Sequence, residues 1–112
     1  NALDVYIAVL GEGANVKALE LVQALRQQGF KAERDYLNRK LKAQFKSAEA
    51  FGAKTIIVLG ESEVESGRVK VKNNQIREDS NSSIYSNLRK EVQISLKEIS
   101  KNFSEVFEKL GF

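Results

Sequence analysis

Two stretches of the chain, Val5 to Leu10 and Thr55 to Leu59, are almost wholly apolar, and each runs into a glycine, Gly11 or Gly60. A run of this length without alternation predicts a strand buried on both faces, the pattern of a parallel sheet covered by helices. Between the two runs, Ala18, Leu21, Val22 and Leu25 recur at helical spacing after Asn15, an available N-cap, and Gly29 closes that helix. Phe30 to Tyr36 alternates apolar and charged residues and predicts a weak edge strand whose polar side protects the sheet. A second helix is expected from Arg39 to Phe51, with Asn38 as its N-cap, Leu41, Phe45 and Ala48 turned to a core, and Gly52 as its stop. The order is β-α-β-α-β.

Beyond Gly60, Glu61 to Gly67 reads as an acidic turn, too short to hold a helix, and Arg68 to Lys72 alternates with period two. That short connection predicts a fourth strand antiparallel to the third. Gln75 to Asn87 is polar and is expected to be a mobile loop. Lys90 to Ile94 reads as a fifth strand, because Ser95 to Glu98 forms a capping box with Ile94 and Ile99 as its hydrophobic staple. One terminal helix follows, with Leu96, Ile99, Phe103, Val106 and Leu110 as its apolar stripe and Gly111 as its end. The stripe reads as core, with a dimer seam as the lesser alternative. Together these elements predict an α/β domain in three layers, with a five-stranded mixed sheet, one strand antiparallel, and three helices.

A length of 112 residues, 42% of them hydrophobic, suits one domain over 1–112. Asn1 and Ala2 read as a vector remnant ahead of a domain cut from a longer chain. No apolar run is long enough to span a bilayer as a helix. The chain has no Cys and no His, which removes disulfides, thiolate zinc sites, the usual general base and the commonest metal ligand. Most hydrolase and metalloenzyme chemistry loses its working residues on that ground. With no signal peptide from Asn1 onwards, a cytoplasmic setting is the expectation. The net charge of +3 permits an anionic partner, and its distribution says more than its total.

That distribution is uneven. Arg39, Lys40, Lys42 and Lys46 cluster between Tyr36 and the end of the second helix. If Asn38 is the N-cap, Arg39 and Lys40 occupy the first helical turn, where the macrodipole disfavours a cation by about 0.3–1 kcal/mol each. An anion bound there meets free N–H groups, the dipole and two side-chain charges at once, which suits a phosphate or an RNA backbone. Arg39, Lys42 and Lys46 also share one stripe, against which stands the ordinary reading of a solvated helix face. Tyr36, at a strand end, is placed to stack on an unpaired base, whereas Phe45 belongs to the apolar stripe.

Other patterns carry weaker chemistry. Gly11-Glu12-Gly13 lies between a strand and a helix but lacks the third glycine of a dinucleotide fingerprint, and Glu12 would repel a pyrophosphate. A regulatory α/β module that binds a small anion or nucleotide at this turn, without any RNA role, is the alternative function. Glu12 is expected at the carboxyl edge of the sheet, where open α/β folds bind ligands. Glu61, Glu63 and Glu65 lack the spacing of a calcium loop and read as a solvated turn.

The segment Asp35-Tyr36-Leu37, continuing through Arg39-Lys40-Leu41-Lys42-Ala43-Gln44-Phe45-Lys46-Ser47-Ala48 to Gly52-Ala53-Lys54, closely resembles the C-terminal anticodon-binding domain of bacterial-type histidyl-tRNA synthetases. The resemblance extends to Val5–Gly11, to Ile57–Glu61 and to Gly67–Lys72, and so covers nearly the whole chain. It implies that the chain holds the anticodon stem-loop of histidine tRNA and is not itself catalytic. ATP, magnesium, the histidine site and the main homodimer interface would belong to a catalytic domain that this chain does not contain. Carried over onto this sequence, the family motif implies RNA contacts at Tyr36, Arg39, Lys40, Lys42 and Lys46, with Gln44 as a polar contact. Related synthetases also imply Glu63 and Lys72, and Glu12 lies at the same expected edge. The long polar stretch Asn73 to Leu88 departs from the family, which passes from the fourth strand to the fifth by a short turn.

Overall fold

The computed structural model describes residues 2–76 and 90–112. Strand β1 (Val5–Val9) lies between β2 (Ala32–Arg34) and β3 (Thr55–Leu59), and both neighbours are parallel to it. Strand β4 (Arg68–Asn73) is antiparallel to β3, and β5 (Glu91–Ser95) is antiparallel to β4. The sheet order is therefore β2-β1-β3-β4-β5, with the weak strand β2 on one edge as its alternation predicted.

The two faces of this sheet are covered differently. Helix α1 (Asn15–Gln27), α4 (Leu96–Lys101) and α5 (Phe103–Lys109) pack on one face, over Val5, Ile7, Val9, Ile57, Leu59, Val69, Val71, Val92 and Ile94. This is the main core, and Leu96, Ile99, Phe103, Val106 and Leu110 are all buried in it. The terminal stripe is thus core and not a dimer seam. Helix α2 (Leu41–Ala50) is the only described helix on the other face, where Ala48, Leu41 and Phe45 meet Tyr6, Ala8, Ile56 and Val58.

Several boundaries differ from the sequence reading. Asn15 is not the N-cap of α1, because a 3-10 turn at Glu12–Ala14 runs straight into the helix and Ala14 takes that place. Glu61 to Ser66 forms a short helix, α3, not a turn. Six residues suffice because Gly67, at φ 72°, takes the left-handed conformation that turns the chain directly into β4. The terminal helix is two helices, broken at Asn102 (φ −155°, ψ 80°). Gln28, at the end of α1, enters this break. Its Oε1 accepts from the Phe103 N–H at 2.7 Å, and its Nε2 donates to the Ile99 and Ser100 carbonyls at 2.9 Å. A side chain that satisfies the freed backbone groups is a known cause of such a kink. From residue 77 on, the polar loop expected over 75–87 lies outside the described residues.

Candidate nucleic-acid interface

On the α2 side of the sheet the described residues roof only half of the surface. Because β4 alternates with period two, Val69 and Val71 enter the main core and Arg68, Lys70 and Lys72 point the other way. In the observed register Lys72 stands opposite Ile56 on β3 and Glu91 on β5, and Lys70 stands opposite Gln93. No described helix covers this part of the face. An open cleft of about 290 Å³ lies here, lined by Val58, Glu63, Arg68, Lys70, Lys72 and Gln93. Val58 also packs against the residues under α2, so the cleft adjoins that helix. On α2 itself, Lys42 and Lys46 line a larger cleft of about 590 Å³ with Phe45, Gly52, Ala53, Asn74 and one acid, Glu49. Basic side chains therefore run from α2 across to β4. Lys70 is paired at 3.8 Å with Glu91, whereas Lys40, Lys42, Lys46 and Lys72 have no ion pair among the described residues.

The segment that leads from β2 into α2 is held from both sides. After β2 ends, the Asp35 N–H still donates to the Ile7 carbonyl at 3.1 Å, and then the chain turns away at Tyr36. Val9 presents its N–H and C=O toward the same edge as Ile7, but β2 no longer reaches it. Gln44, reaching in from α2, takes the missing strand's place. Its Oε1 accepts from the Val9 N–H at 2.6 Å, and its Nε2 donates to the Val9 carbonyl at 2.9 Å and to the Arg39 carbonyl at 2.7 Å. The buried Asp35 carboxylate accepts from the Arg39 N–H at 3.1 Å and from Arg39 Nε and Nη2 at 2.9 and 2.8 Å. Those charged hydrogen bonds to Asp35 hold the Arg39 guanidinium more firmly protonated than usual. Arg39 Nη2 also donates to the Tyr6 hydroxyl at 3.4 Å, and burial, with the Asp35 charge behind it, pushes the Tyr6 phenol up from its ordinary value.

A family model described as an anticodon binding domain matches residues 4–106. The chain belongs to the anticodon-binding domain family. Over all 112 residues it is 77% identical to a histidine–tRNA ligase of Streptococcus pneumoniae serotype 4, and it spans 23% of that protein's length. Among solved structures, apo histidyl-tRNA synthetase of S. aureus matches 89% of the chain and 23% of its own, at a TM-score of 0.72 and 34% identity. The RNA binding domain of a threonyl-tRNA synthetase from Cryptosporidium parvum Iowa II matches 98% of the chain and 24% of its own, at a TM-score of 0.70. With 15% identity, that second likeness speaks for the fold alone.

In this anticodon-binding domain the expected site residues divide into groups. Lys42 and Lys46 are exposed on α2, and Lys72 joins them on the open half of the same face. Tyr36 is exposed at the strand end, with the Arg34 guanidinium 5.2 Å from its ring centre and its hydroxyl donating to Glu33 Oε1 at 3.1 Å. Glu63 lines the cleft beside Lys72, but its carboxylate is already engaged. The Ser62 hydroxyl and the Gly60 N–H donate to it and hold its pKa below the usual carboxylate range. Glu12 is exposed on the 3-10 turn after β1.

Four expectations need correction. Asn38 is not an N-cap: it sits at φ 50°, in the left-handed region, and extended Lys40 precedes the helix instead. Arg39 and Lys40 therefore do not occupy a first helical turn, and the dipole argument for an anion there fails. Arg39 is spent on Asp35, because the left-handed turn at Asn38 folds the chain back until the two side chains meet. Gln44, expected to touch RNA, is fully buried with both ends of its amide satisfied by backbone. The alternative anion site at Gly11–Gly13 is also occupied, since the Gly13 N–H donates to Glu61 Oε1 at 3.3 Å. A carboxylate already stands at the place where a phosphate would have to bind.

Sequence reading missed the outward residues Arg68 and Lys70, although the alternation that predicted β4 carried them. It also missed Asp35, whose only signal was its spacing of four from Arg39. Glu61, Glu63 and Glu65 do not form a metal site, and among the described residues no group of three or more acidic, His or Cys residues could hold a metal ion. Nor is any described helix long and apolar enough to cross a membrane.

Proposed function

We propose that this chain binds the anticodon stem-loop of histidine tRNA, as the C-terminal part of a histidine–tRNA ligase. The observation that carries the reading is the sheet face that the described helices only half roof, where Lys42 and Lys46 on α2 and Lys72 on β4, with no ion pair among the described residues, border two open clefts. Phosphates favour such a surface because each cation that neutralises one releases condensed counterions. The open clefts beside α2 and over β4 also leave room for unstacked bases, which is how single-stranded loops are read. Tyr36 supplies an exposed ring for stacking at the end of β2, and Lys40, Lys42, Lys46 and Lys72 supply charge, with Glu12 and the lone pairs that Gly60 and Ser62 leave on Glu63 as acceptors for base N–H groups.

The parent enzyme's chemistry, attachment of histidine to tRNA at the expense of ATP with magnesium, belongs to a catalytic domain outside this chain. That enzyme is a cytoplasmic homodimer joined through its catalytic domains, and this domain itself takes no cofactor and engages neither membrane nor DNA. The reading is tested by titrating the chain with a stem-loop bearing the GUG anticodon and with one whose anticodon is changed, over a series of salt concentrations. The GUG loop should bind more tightly. Lys72→Gln and Lys46→Gln should each lower the log-log salt slope by about 0.7–0.9, the signature of one phosphate no longer neutralised. Equal affinity for both loops, with slopes unmoved by either substitution, would refute it. Arg39→Glu is a poor probe, because the new carboxylate would face the buried Asp35 and report on folding instead.

A further inference from the structure

The connection from β2 to α2 is a short corner whose two ends are fastened while its tip stands in solvent. Tyr36 and Leu37 are 63% and 72% exposed, and Asn38 holds the left-handed conformation that makes the corner sharp. An apolar Leu37 at such a tip has no packing role within the domain. The fastenings come from side chains that point the other way: Asp35 grips Arg39 through its backbone and its guanidinium, and Gln44 ties the Arg39 carbonyl to the end of β1. We infer that Asp35 and Gln44 are positioning residues that hold the Tyr36–Leu37–Asn38 corner fixed for anticodon reading, so that discrimination between anticodons depends on two side chains that RNA does not touch.

The inference rests on the proposed RNA-binding function. Its physical basis is preorganisation. A corner already fixed loses little freedom on binding, and it cannot shift to accommodate a wrong base, whereas a loosened one can do so at the cost of selectivity. Phosphate contacts on α2 and β4 lie outside the corner, so the sequence-independent share of affinity should survive loosening.

Gln44→Met keeps the side chain's size and removes all three hydrogen bonds, and Asp35→Asn keeps the shape and removes the charge. Each variant is titrated with the GUG and changed-anticodon stem-loops over a salt series, at temperatures where circular dichroism shows it folded. If Gln44→Met does not fold, Asp35→Asn carries the test alone. The expected result is a fall of about tenfold in the affinity ratio between the two loops, the size of the penalty for one mispositioned base-reading group, with the salt slope unchanged. Where both variants fold, the double variant should lose no more than the worse single one, since both act on one corner. A folded variant that keeps the ratio would reduce these residues to a stabilising role and overturn the inference. A slope lowered by nearly one would overturn it too, by making Gln44 or Asp35 a phosphate-binding group. If the unchanged chain itself fails to discriminate, the proposed function falls and takes this inference with it.

Discussion

Replacing Gln44 by Met should destabilise the fold by about 2–6 kcal/mol, far more than a surface polar residue would cost. The two side chains are close in volume, so no cavity is made, and the effect isolates hydrogen bonding. Three bonds disappear, at 2.6, 2.9 and 2.7 Å, each worth roughly 0.5–1.5 kcal/mol net when its partners can find water. Here the Val9 N–H and C=O are buried at the end of β1 with no strand to replace the amide, so each left unsatisfied costs about 1–3 kcal/mol. The Arg39 carbonyl, nearer the surface, can recover a water and adds little. For a domain of this size about 1 kcal/mol moves the melting temperature by about 4 °C, so a drop on the order of 8–24 °C is expected. Urea unfolding is the assay, with the midpoint falling and the m-value unchanged. A variant within about 0.5 kcal/mol of the parent would refute the argument, because it would mean that Val9 finds other partners and that Gln44 does not complete the edge of β1.

Three further outcomes follow from single contacts. Asn73, buried at the end of β4, donates from Nδ2 to the Leu110 carbonyl at 2.7 Å and accepts from the Gln75 N–H at 2.9 Å. Asn73→Leu should cost about 2–4 kcal/mol in urea unfolding and speed amide exchange around Leu110, and unchanged exchange there would count against that hydrogen bond. The Ser95 hydroxyl accepts from the Glu98 N–H at 3.1 Å as the N-cap of α4, so Ser95→Ala should lower stability by about 1 kcal/mol while Ser95→Asp should not. Glu63 has its pKa lowered in the folded state, so its contribution is present above the unfolded value and is lost as pH falls through the folded one. Glu63→Gln should therefore flatten part of the stability loss on acidification, and parallel pH profiles for the two proteins would disprove the assignment.

Most of the sheet was legible along the chain because its strands announce themselves by burial. Val5–Val9 and Thr55–Leu59 are almost wholly apolar since helices lie on both faces of them, and β4 alternates since the described helices roof only one of its faces. The short elements were the ones misread. A turn of helix at α3 and the break at Asn102 depend on Gly67 and on Gln28, a side chain more than seventy residues away, and no local pattern reports either. The candidate surface was half legible. Lys42, Lys46 and Lys72 could be named from the sequence and the family resemblance, but their sharing one side of the sheet follows from the register of β3 with β4 and from α2 crossing to that side.

By itself, the sequence determined the class of fold, the parallel core, the capped fourth helix, the absence of His and Cys chemistry, and the family resemblance, because each depends on residue type and short-range spacing. Only the tertiary structure decided what Arg39, Gln44 and the Gly11–Gly13 turn do. Charge and polarity are visible in a sequence, but whether a polar group is free to meet a ligand depends on what faces it. Asp35 faces Arg39, Val9 faces Gln44, and Glu61 faces Gly13. Three residues or turns that looked available for RNA or an anion are thereby committed to the fold, and the cations that no described acid neutralises lie beside them on α2 and β4.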